Sequence, residues 1–399
     1  MNRTNPVTER VLIAGAGPVG LVAAANLVRH GVPVTVFESG GDLSMESRAS
    51  TFHPPTLDML GELGVVQPLI AQGLIAPKFQ YRNRRDGVIA EFDFGDIADQ
   101  TRHPFRLQCE QSKLTRIIYD RLRGAPDLEI VFSSPVRAVT QNTDSVTVTV
   151  ERDGRSEAHS YRWLIGADGA RSDVRRSLDI EFEGFTWPDR YLVVSTPFDF
   201  HSVIPGLATV SYVADPVRWH FLLGIPGLWR VMFRIAPEES DELALSAEFV
   251  TALMAEVVPG IDRYQIDHTT LYRVHQRVAS TFRKHRAFLI GDAAHVNNPL
   301  GGMGMNGGIH DAMNLTERLA AVWRGEKAEA ELDRFDLQRR LVTKEYVERQ
   351  SIQNKRNLEA ADNGFRDFLR QTAADPTLRR EYLLKVSMIG SLRRAEQLG

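Results

Sequence analysis

Cysteine is nearly absent from this sequence: Cys109 is the only one among 399 residues. A disulfide within the chain is therefore excluded, which suits a reducing compartment. Cys109 itself fits either a small buried hydrophobic side chain or a reactive thiol, and the former is the commoner role of a lone cysteine. We expect a cytoplasmic protein.

Other absences narrow the function classes. No apolar run is long enough to cross a bilayer, and residues 1–10 lack the apolar segment of a signal peptide. The 48 basic and 51 acidic residues leave a net charge of −3, so neither nucleic acid nor an anionic membrane is an expected partner. We expect no metal site and find no internal repeat. The length and ordinary composition instead predict a globular protein of two or three domains.

Glycine is concentrated in three short stretches, and the first of them organises the chain. Gly15, Gly17 and Gly20 follow the apolar run 11–14 and precede the apolar segment 21–27, which predicts a strand, a tight turn and a helix. Gly15 permits the reversal, Gly17 lets a pyrophosphate approach the backbone, and Gly20 lets helix and strand pack closely. The pattern predicts a dinucleotide site at the helix N-terminus. A glycine turn in a nucleotide-free α/β domain is the competing interpretation.

Three polar residues downstream are candidates for the same site. Glu38 ends the next apolar strand, 34–37, where a carboxylate accepts hydrogen bonds from ribose hydroxyls. Arg48 is either a phosphate ligand or a surface arginine. Gln111 begins a helix predicted over 111–122, where its side-chain amide is placed to reach a cofactor.

Two further glycine stretches also follow strands. An alternating pattern over 128–165 predicts an antiparallel meander, and the loop 166–172 with Asp168 comes after it. The third stretch starts at Asp292 after a buried apolar strand and continues through the glycine-rich segment 299–308, with a helix predicted beyond it. Both loops expose backbone N–H groups to a ligand. The two aspartates could instead only cap the helices that follow them.

The composition changes in the middle of the chain, where aromatic and β-branched runs alternate with Pro and Gly turns. We therefore predict an α/β protein with a Rossmann-like nucleotide-binding domain over 1–178 and 281–326 that contains the inserted β-meander. An antiparallel-sheet substrate domain over 179–280 would also receive two strands from about 79–94. The charged segment 327–399 is predicted to form C-terminal helices that act as a cap or a partner surface.

The three glycine stretches together resemble the FAD-dependent aromatic hydroxylases, the single-component flavoprotein monooxygenases typified by 4-hydroxybenzoate hydroxylase. The resemblance rests on Gly15-x-Gly17-x-x-Gly20, on the runs 166–169 and 291–295, and on their spacing over about the first 325 residues. It implies that the Rossmann-like domain binds FAD. Asp168 would then belong to the loop that the family uses for both FAD and NAD(P)H, and Asp292 would bind ribityl or ribose hydroxyls of FAD.

The complete set of cofactor contacts that the resemblance implies can be stated by residue. The first loop would hold the FAD pyrophosphate, and the glycine-rich loop before the last helix would present backbone groups to the flavin ring. The expected contacts are Gly15, Gly17, Gly20, Glu38, Arg48, Gln111, Asp168, Asp292, Gly304, Met305 and Asn306. His295 is expected to support its loop rather than to transfer protons.

The resemblance also implies the reaction. NAD(P)H would reduce FAD, dioxygen would add to the reduced flavin, and the resulting hydroperoxide would hydroxylate a phenolic or hydroxy-heteroaromatic ring. The expected partners are a small aromatic substrate and dioxygen, with a homodimer as an open alternative. A phenol reacts faster as its phenolate, so a base or polar group should reach the hydroxyl.

The substrate pocket is less clearly marked in the sequence. Pro299 is a candidate for a catalytic position because its loop adjoins the flavin in the family, and Tyr212 and His220 because they lie on predicted strands of the second domain. Arg218 or Arg234 could hold a substrate carboxylate. A core or surface role is the competing interpretation for Tyr212, His220 and both arginines.

Three other functions are compatible with such a fold. A flavin-dependent halogenase is disfavoured because no Trp-x-Trp-x-Ile-Pro stretch is present. An isoprenoid reductase would favour a more apolar surface, and a non-catalytic FAD-binding module finds support only in the charged C-terminal helices. Oxidation of NAD(P)H that phenols stimulate would distinguish a hydroxylase from all three.

Overall fold

The structure, a computed structural model, describes residues 7–46, 49–84, 87–215, 218–258, 260–261, 263–359 and 363–398. Arg48, a predicted FAD contact, lies outside these residues. The strands in chain order are β1 (Val7–Ala14), β2 (Val34–Phe37), β3 (Thr51–Phe52), β4 (Leu74–Ala76), β5 (Lys78–Asn83), β6 (Gly87–Asp93), β7 (Arg106–Gln108), β8 (Leu128–Val131), β9 (Val136–Gln141), β10 (Val146–Arg152), β11 (Arg155–Gly166), β12 (Phe182–Thr196), β13 (Val210–Val213), β14 (His220–Ile225), β15 (Leu228–Ile235), β16 (His268–Ala279), β17 (Arg283–Lys284), β18 (Ala287–Leu289) and β19 (His295–Val296).

The helices alternate with these strands in the first half of the chain and dominate its last quarter. In chain order they are α1 (Pro18–Arg29), α2 (Pro54–Glu62), α3 (Val66–Ile70), α4 (Gln111–Leu122), α5 (Asp173–Ser177), α6 (Asp241–Leu245), α7 (Ala247–Ala255), α8 (Met303–Trp323), α9 (Asp333–Val342), α10 (Arg349–Glu359), α11 (Asn363–Ala374), α12 (Pro376–Val386) and α13 (Ile389–Glu396). Within the described residues, none of these helices has both the length and the apolar character to cross a membrane.

The first sheet brings the three glycine stretches to one edge. Its order is β17-β18-β11-β1-β2-β8, and β11, β1, β2, β8 and β18 run parallel. Gly166 pairs with Ala14 on one side and with Leu289 on the other, so β1, β11 and β18 end side by side. Ligands of open parallel sheets bind beyond this carboxyl edge. The antiparallel strands β9 and β10 extend from β11 as the predicted meander.

The second sheet has the order β19-β16-β12-β15-β14-β13-β5-β6 and is antiparallel except between β13 and β5. It packs on both faces. One face carries the apolar cluster that includes Phe233 and Met254 of α7, and the opposite face carries Tyr212, Phe221 and Met232. One face of the sheet is therefore covered by helices, and the opposite face borders both the cavity described below and the C-terminal helices.

The C-terminal helices contribute to the apolar cluster that includes Tyr212, Phe221 and Met232. Leu369 of α11, Leu383 of α12 and Ile389 of α13 are buried with Phe79 and Phe92 of the sheet. The segment is thus a structural layer over the second sheet. The predicted α/β class, with a Rossmann-like domain, an inserted meander, an antiparallel sheet and a helical C-terminus, is confirmed; the domain boundaries stay a prediction.

One predicted boundary is wrong. The glycines up to Gly308 were expected in a loop, but α8 begins at Met303 and contains Gly304 and Gly308. Small residues are tolerated here because the helix packs closely on its neighbours: a Cβ on Gly308 would lie 2.9 Å from the Cα of Gly291. The glycines serve helix packing as well as the loop before the helix.

Candidate functional site

A cavity of about 1090 Å³ lies between the carboxyl edge of the first sheet and the inner face of the second. Its volume exceeds the roughly 300–1,000 Å³ of ordinary small-molecule sites. Of the predicted site residues, those that line it are Gly15, Gly17, Glu38, Gln111, Asp168, Tyr212, Asp292, Pro299, Gly304 and Met305. Residues from all three glycine stretches therefore face the same space as the wall of the second sheet.

The first glycine loop has the geometry that an anion needs. Gly15 has a φ of +104°, and a Cβ there would lie 2.5 Å from the carbonyl oxygen of Ala167. A Cβ on Gly20 would lie 2.1 Å from the carbonyl oxygen of Gly15, whereas one on Gly17 would have no atom of the described residues within 4 Å beyond its own chain neighbours and helix. Gly20 does not line the cavity and acts in packing, while Gly17 borders open space at the N-terminus of α1. The residues present fit a dinucleotide pyrophosphate at Gly17.

Two acidic residues flank this loop. One oxygen of Glu38 accepts a hydrogen bond from the backbone N–H of Ala16 at 2.6 Å, and the other accepts from Gly40 at 2.8 Å. This fixes the carboxylate at the cavity wall. Asp168 caps the helix after its loop by accepting from the N–H of Val174 at 3.0 Å. Burial raises the pKa of Asp168.

The third stretch contributes an acidic side chain and a helix N-terminus. Asp292 has an exposed side chain that borders the cavity. Gly304 and Met305 lie in the first turn of α8, where backbone N–H groups have no partner within the helix. Asn306 differs from the prediction, because it is fully buried and absent from the cavity wall.

The side chain of Asn306 instead connects α8 to the segment before α2. Its Oδ1 accepts from the N–H of His53 at 2.9 Å, and its Nδ2 donates to the carbonyls of Thr51 at 2.8 Å and Gly302 at 2.6 Å. Asn306 therefore holds the loop before α8 in place, and its side chain does not face the cavity.

The substrate wall of the cavity is mostly apolar. Tyr212, Phe221 and Met232 project from three neighbouring strands, and Pro299 lies opposite on the loop before α8. The ring of Tyr212 stacks on Tyr81 with centroids 5.2 Å apart. This combination of an aromatic wall and a few polar groups is typical of a site for a small aromatic molecule.

The structure contradicts the predicted position of His220. It is 2% exposed, it does not line the cavity, and its ring packs on Phe233 at 5.6 Å on the opposite face of the sheet. Burial, helped by Arg84, lowers its pKa to about 3. Its neighbour Phe221 points into the cavity because successive residues of a strand face opposite sides.

The two arginines proposed for a substrate carboxylate also lie elsewhere. Arg218 pairs with Glu239 at 2.8 Å, and Arg234 pairs with the buried Asp189 at 2.8 Å. Neither arginine lines the cavity. Their charges are used in structural ion pairs.

Three polar residues that the sequence did not single out line the cavity instead: Arg106, Arg230 and Tyr272. Arg230 is buried and donates to Ser50 Oγ at 3.0 Å and to Glu110 at 3.5 Å. Burial raises the pKa of Tyr272 to about 12. One feature of the sequence does point to Arg230: it lies within the apolar strand Leu228–Ile235. A charged side chain in such a buried strand is expected to be paired with an opposite charge or to have a functional role.

The chain matches a family model described as an FAD binding domain over residues 8–350. It is 32% identical over 402 residues to a para-nitrophenol 4-monooxygenase of Pseudomonas sp. strain WBC-3, with 98% of each chain covered. It is 36% identical over 353 residues to a 6-hydroxy-3-succinoylpyridine 3-monooxygenase of Pseudomonas putida, with 88% of this chain and 89% of the relative covered.

The fold has a close counterpart among solved structures. The crystal structure of p-nitrophenol 4-monooxygenase from Pseudomonas putida superposes with a TM-score of 0.90 at 31% sequence identity. The alignment covers 96% of this chain and 99% of that one. The similarity therefore includes the second sheet and the C-terminal helices as well as the glycine loops.

Proposed function

We propose that this chain, which belongs to the FAD-dependent aromatic hydroxylases, hydroxylates a small phenolic or hydroxy-heteroaromatic compound held against Tyr212, Phe221 and Met232. The family resemblance seen in the sequence is confirmed, and the chain is an FAD-dependent monooxygenase. One observation carries the proposal: the glycine cradle and the aromatic wall border one continuous cavity. A cofactor and an aromatic ring can therefore lie next to each other in this cavity.

Each part of the cavity has a proposed task. Gly17 and the N-terminus of α1 bind the pyrophosphate, and Glu38 and Asp292 accept hydrogen bonds from hydroxyl groups of the cofactor. Gly15, Gln111 and Asp168 complete the adenosine side, together with Arg48. The first-turn N–H groups at Gly304 and Met305 stabilise negative charge at the flavin ring.

FAD, when bound, supplies the redox chemistry with NAD(P)H as reductant and dioxygen as oxidant. The protein supplies position and exclusion of water. Pro299 and the apolar side chains of the second sheet hold the substrate ring, and Tyr212 offers a hydroxyl to it. The known relatives act on p-nitrophenol and on a hydroxypyridine, so acidic hydroxyarenes are the first compounds to test.

The proposal is tested with purified holoenzyme and a panel of hydroxyarenes that includes 4-nitrophenol and 2-hydroxypyridines. We expect the cofactor released from the denatured protein to be FAD. The holoenzyme should oxidise NADH or NADPH slowly in the absence of a hydroxyarene and faster when certain members of the panel are added. The product should carry one added oxygen by mass. Oxidation that no phenol accelerates, with no hydroxylated product, would contradict the proposal; a requirement for halide would instead indicate a halogenase.

Two finer predictions belong to this proposal. A cytoplasmic location is supported by the single cysteine, Cys109, which is buried and free. A homodimer is supported by apolar side chains that remain exposed on the C-terminal helices, Phe368 and Leu378. Fractionation of cells tests the first, and light scattering of the purified holoenzyme tests the second.

A further inference from the structure

Arg106 is a buried cation on the cavity wall. It lies on β7, is 2% exposed, and borders the same cavity as Tyr212. Its guanidinium carbon lies 4.7 Å from the ring centroid of Phe79 and 5.4 Å from that of Phe94. The side chain therefore packs on Phe79 of β5 and on Phe94, which directly follows β6.

The charge of Arg106 has no counter-ion in the described part of the chain. The hydrogen bond of its guanidinium is a long one of 3.5 Å, from Nη2 to the carbonyl oxygen of Val386, and its buried Nε has no partner there. Burying an unpaired charge is costly unless another group neutralises it. Arg230, another arginine of the cavity wall, differs because Glu110 lies 3.5 Å away.

The titratable side chains that face Arg106 are uncharged near neutral pH. Burial raises the pKa of Tyr81 well above its ordinary value and that of Tyr382 to about 12. Burial, together with Arg106, holds the pKa of His53 well below its usual range. The hydroxyls of Tyr81 and Tyr382 bond to each other at 3.0 Å. None of these three side chains supplies the negative charge that would compensate Arg106, and an anionic molecule in the adjoining cavity can supply it.

We propose that Arg106 is the residue of this chain that binds the ionised hydroxyl oxygen of the substrate. The inference rests on the proposed aromatic hydroxylation. A guanidinium forms strong charge-assisted hydrogen bonds to an anionic oxygen. It stabilises the phenolate over the phenol, which places the electron-rich form of the ring at the site without a base of the protein. Arg106 is thus a substrate-binding residue that determines specificity.

The test compares wild-type holoenzyme with Arg106→Gln, using 4-nitrophenol as the probe because its anion has its own visible absorbance. Difference spectra are recorded from about pH 5 to 9, where the neighbouring groups do not titrate. In the wild type we expect the pKa of bound 4-nitrophenol to fall by at least about one unit, a tenfold preference for the anion. In Arg106→Gln this shift should vanish and the Kd of the anion should rise about tenfold or more.

Three controls distinguish the loss of the positive charge at Arg106 from a structural effect of the substitution. Arg106→Lys should restore part of the shift, and Arg82→Gln, an arginine on the neighbouring β5 outside the cavity wall, should leave it unchanged. Neutral 4-nitroanisole should bind wild type and Arg106→Gln equally. FAD content and circular dichroism should be the same in all variants.

The outcomes distinguish the inference from the proposed function. If no hydroxyarene of the panel stimulates the wild type, the hydroxylase function itself fails. If the panel stimulates it but wild type shows no preference for the 4-nitrophenol anion, or Arg106→Gln keeps that preference, the inference is overturned. Loss of FAD from Arg106→Gln with an unchanged phenolate shift would also overturn it, by assigning Arg106 to the cofactor.

Discussion

Arg339 donates a hydrogen bond from Nε to Oδ1 of Asp311 over 2.7 Å, and both side chains are buried. The other oxygen of Asp311 accepts from the backbone N–H of Gly291 at 3.1 Å and bonds to Nε2 of His295 at 2.8 Å. Burial alone would raise the pKa of Asp311, but Arg339 and His295 hold it at about 2. The carboxylate of Asp311 therefore holds both ends of the loop that carries Asp292, through Gly291 and His295.

Asp311→Asn should destabilise the protein by about 3–5 kcal/mol, because it leaves the charge of Arg339 buried without a partner. Urea unfolding of the holoenzyme at neutral pH measures this. Arg340→Gln on α9, the helix that also carries Arg339, is the control, since its ion pair with Asp336 is more accessible and should be worth at most about 1 kcal/mol. An equal decrease in the free energy of unfolding in the two variants would show that the buried Arg339–Asp311 pair contributes no more to stability than an accessible ion pair.

Gly17→Val should abolish retention of FAD and leave the protein folded. A Cβ there would have no neighbouring atom within 4 Å in the part of the chain that the structure describes, its own helix and chain neighbours aside, so the added side chain extends into the space assigned to the pyrophosphate. The flavin content after gel filtration measures the loss, and circular dichroism reports the fold. Gly41→Val is the control outside the cavity wall, and it should keep its flavin. Stoichiometric flavin on Gly17→Val would place the pyrophosphate elsewhere.

Asp292→Ala should weaken FAD by about 1–3 kcal/mol, roughly ten- to a hundredfold or somewhat more in Kd, as for loss of a charged hydrogen bond. The fold should survive because the side chain is exposed toward the cavity. A titration of the apoprotein with FAD measures the change. Normal FAD affinity together with lost hydroxylation would make Asp292 a substrate or catalytic group.

Gly304→Val should act on coupling more than on affinity. Its Cβ would lie 3.3 Å from Oδ1 of Asn297 and would crowd the first turn of α8, where we place the flavin ring. We expect less hydroxylated product for each NAD(P)H consumed and more hydrogen peroxide. The ratio of hydroxylated product to NAD(P)H consumed measures this. An unchanged ratio together with a weakened affinity for FAD would indicate that Gly304 contacts the adenosine half of the cofactor and not the flavin ring.

His220→Phe should flatten the dependence of stability on pH. The pKa of folded His220 is about 3, so below about pH 6.5 the unfolded state binds a proton that the folded state does not. The free energy of unfolding therefore falls as the pH falls from about 6.5 toward 3, by up to about 1.4 kcal/mol per unit for this residue. Urea unfolding across this range should show a smaller slope in His220→Phe. The exposed histidine variant His201→Phe should keep the wild-type slope, and an equal slope in His220→Phe would contradict the buried neutral state.

Local backbone requirements explain what could be predicted. The turn at Gly15 needs a positive φ that glycine adopts freely, and the spacing of the glycines alone predicts this turn. The helix over 111–122 and the strand over 34–37 have the predicted bounds because their apolar patterns are local. The carboxyl ends of parallel strands then meet by the rules of the fold, which brought Asp168 and Asp292 to one cavity with Gly17.

The wall of the substrate site depended on long-range packing. Every residue of β14 is buried, so its sequence shows no alternation that would say which side chains face the cavity. The register with β13 and β15 decided that Phe221 points inward and His220 outward. Likewise, nothing local to Arg106 indicates that β7 would bring it beside Tyr81 and Tyr382.

The sequence by itself therefore determined the cofactor cradle, because glycine and strand-end acids act through the backbone nearest to them. Only the tertiary structure decided which charges face the substrate. Arg218 and Arg234 are neutralised by acids distant in sequence, whereas Arg106 has none among the described residues. Whether a charge is neutralised depends on residues brought together by folding, and local pattern does not contain that information.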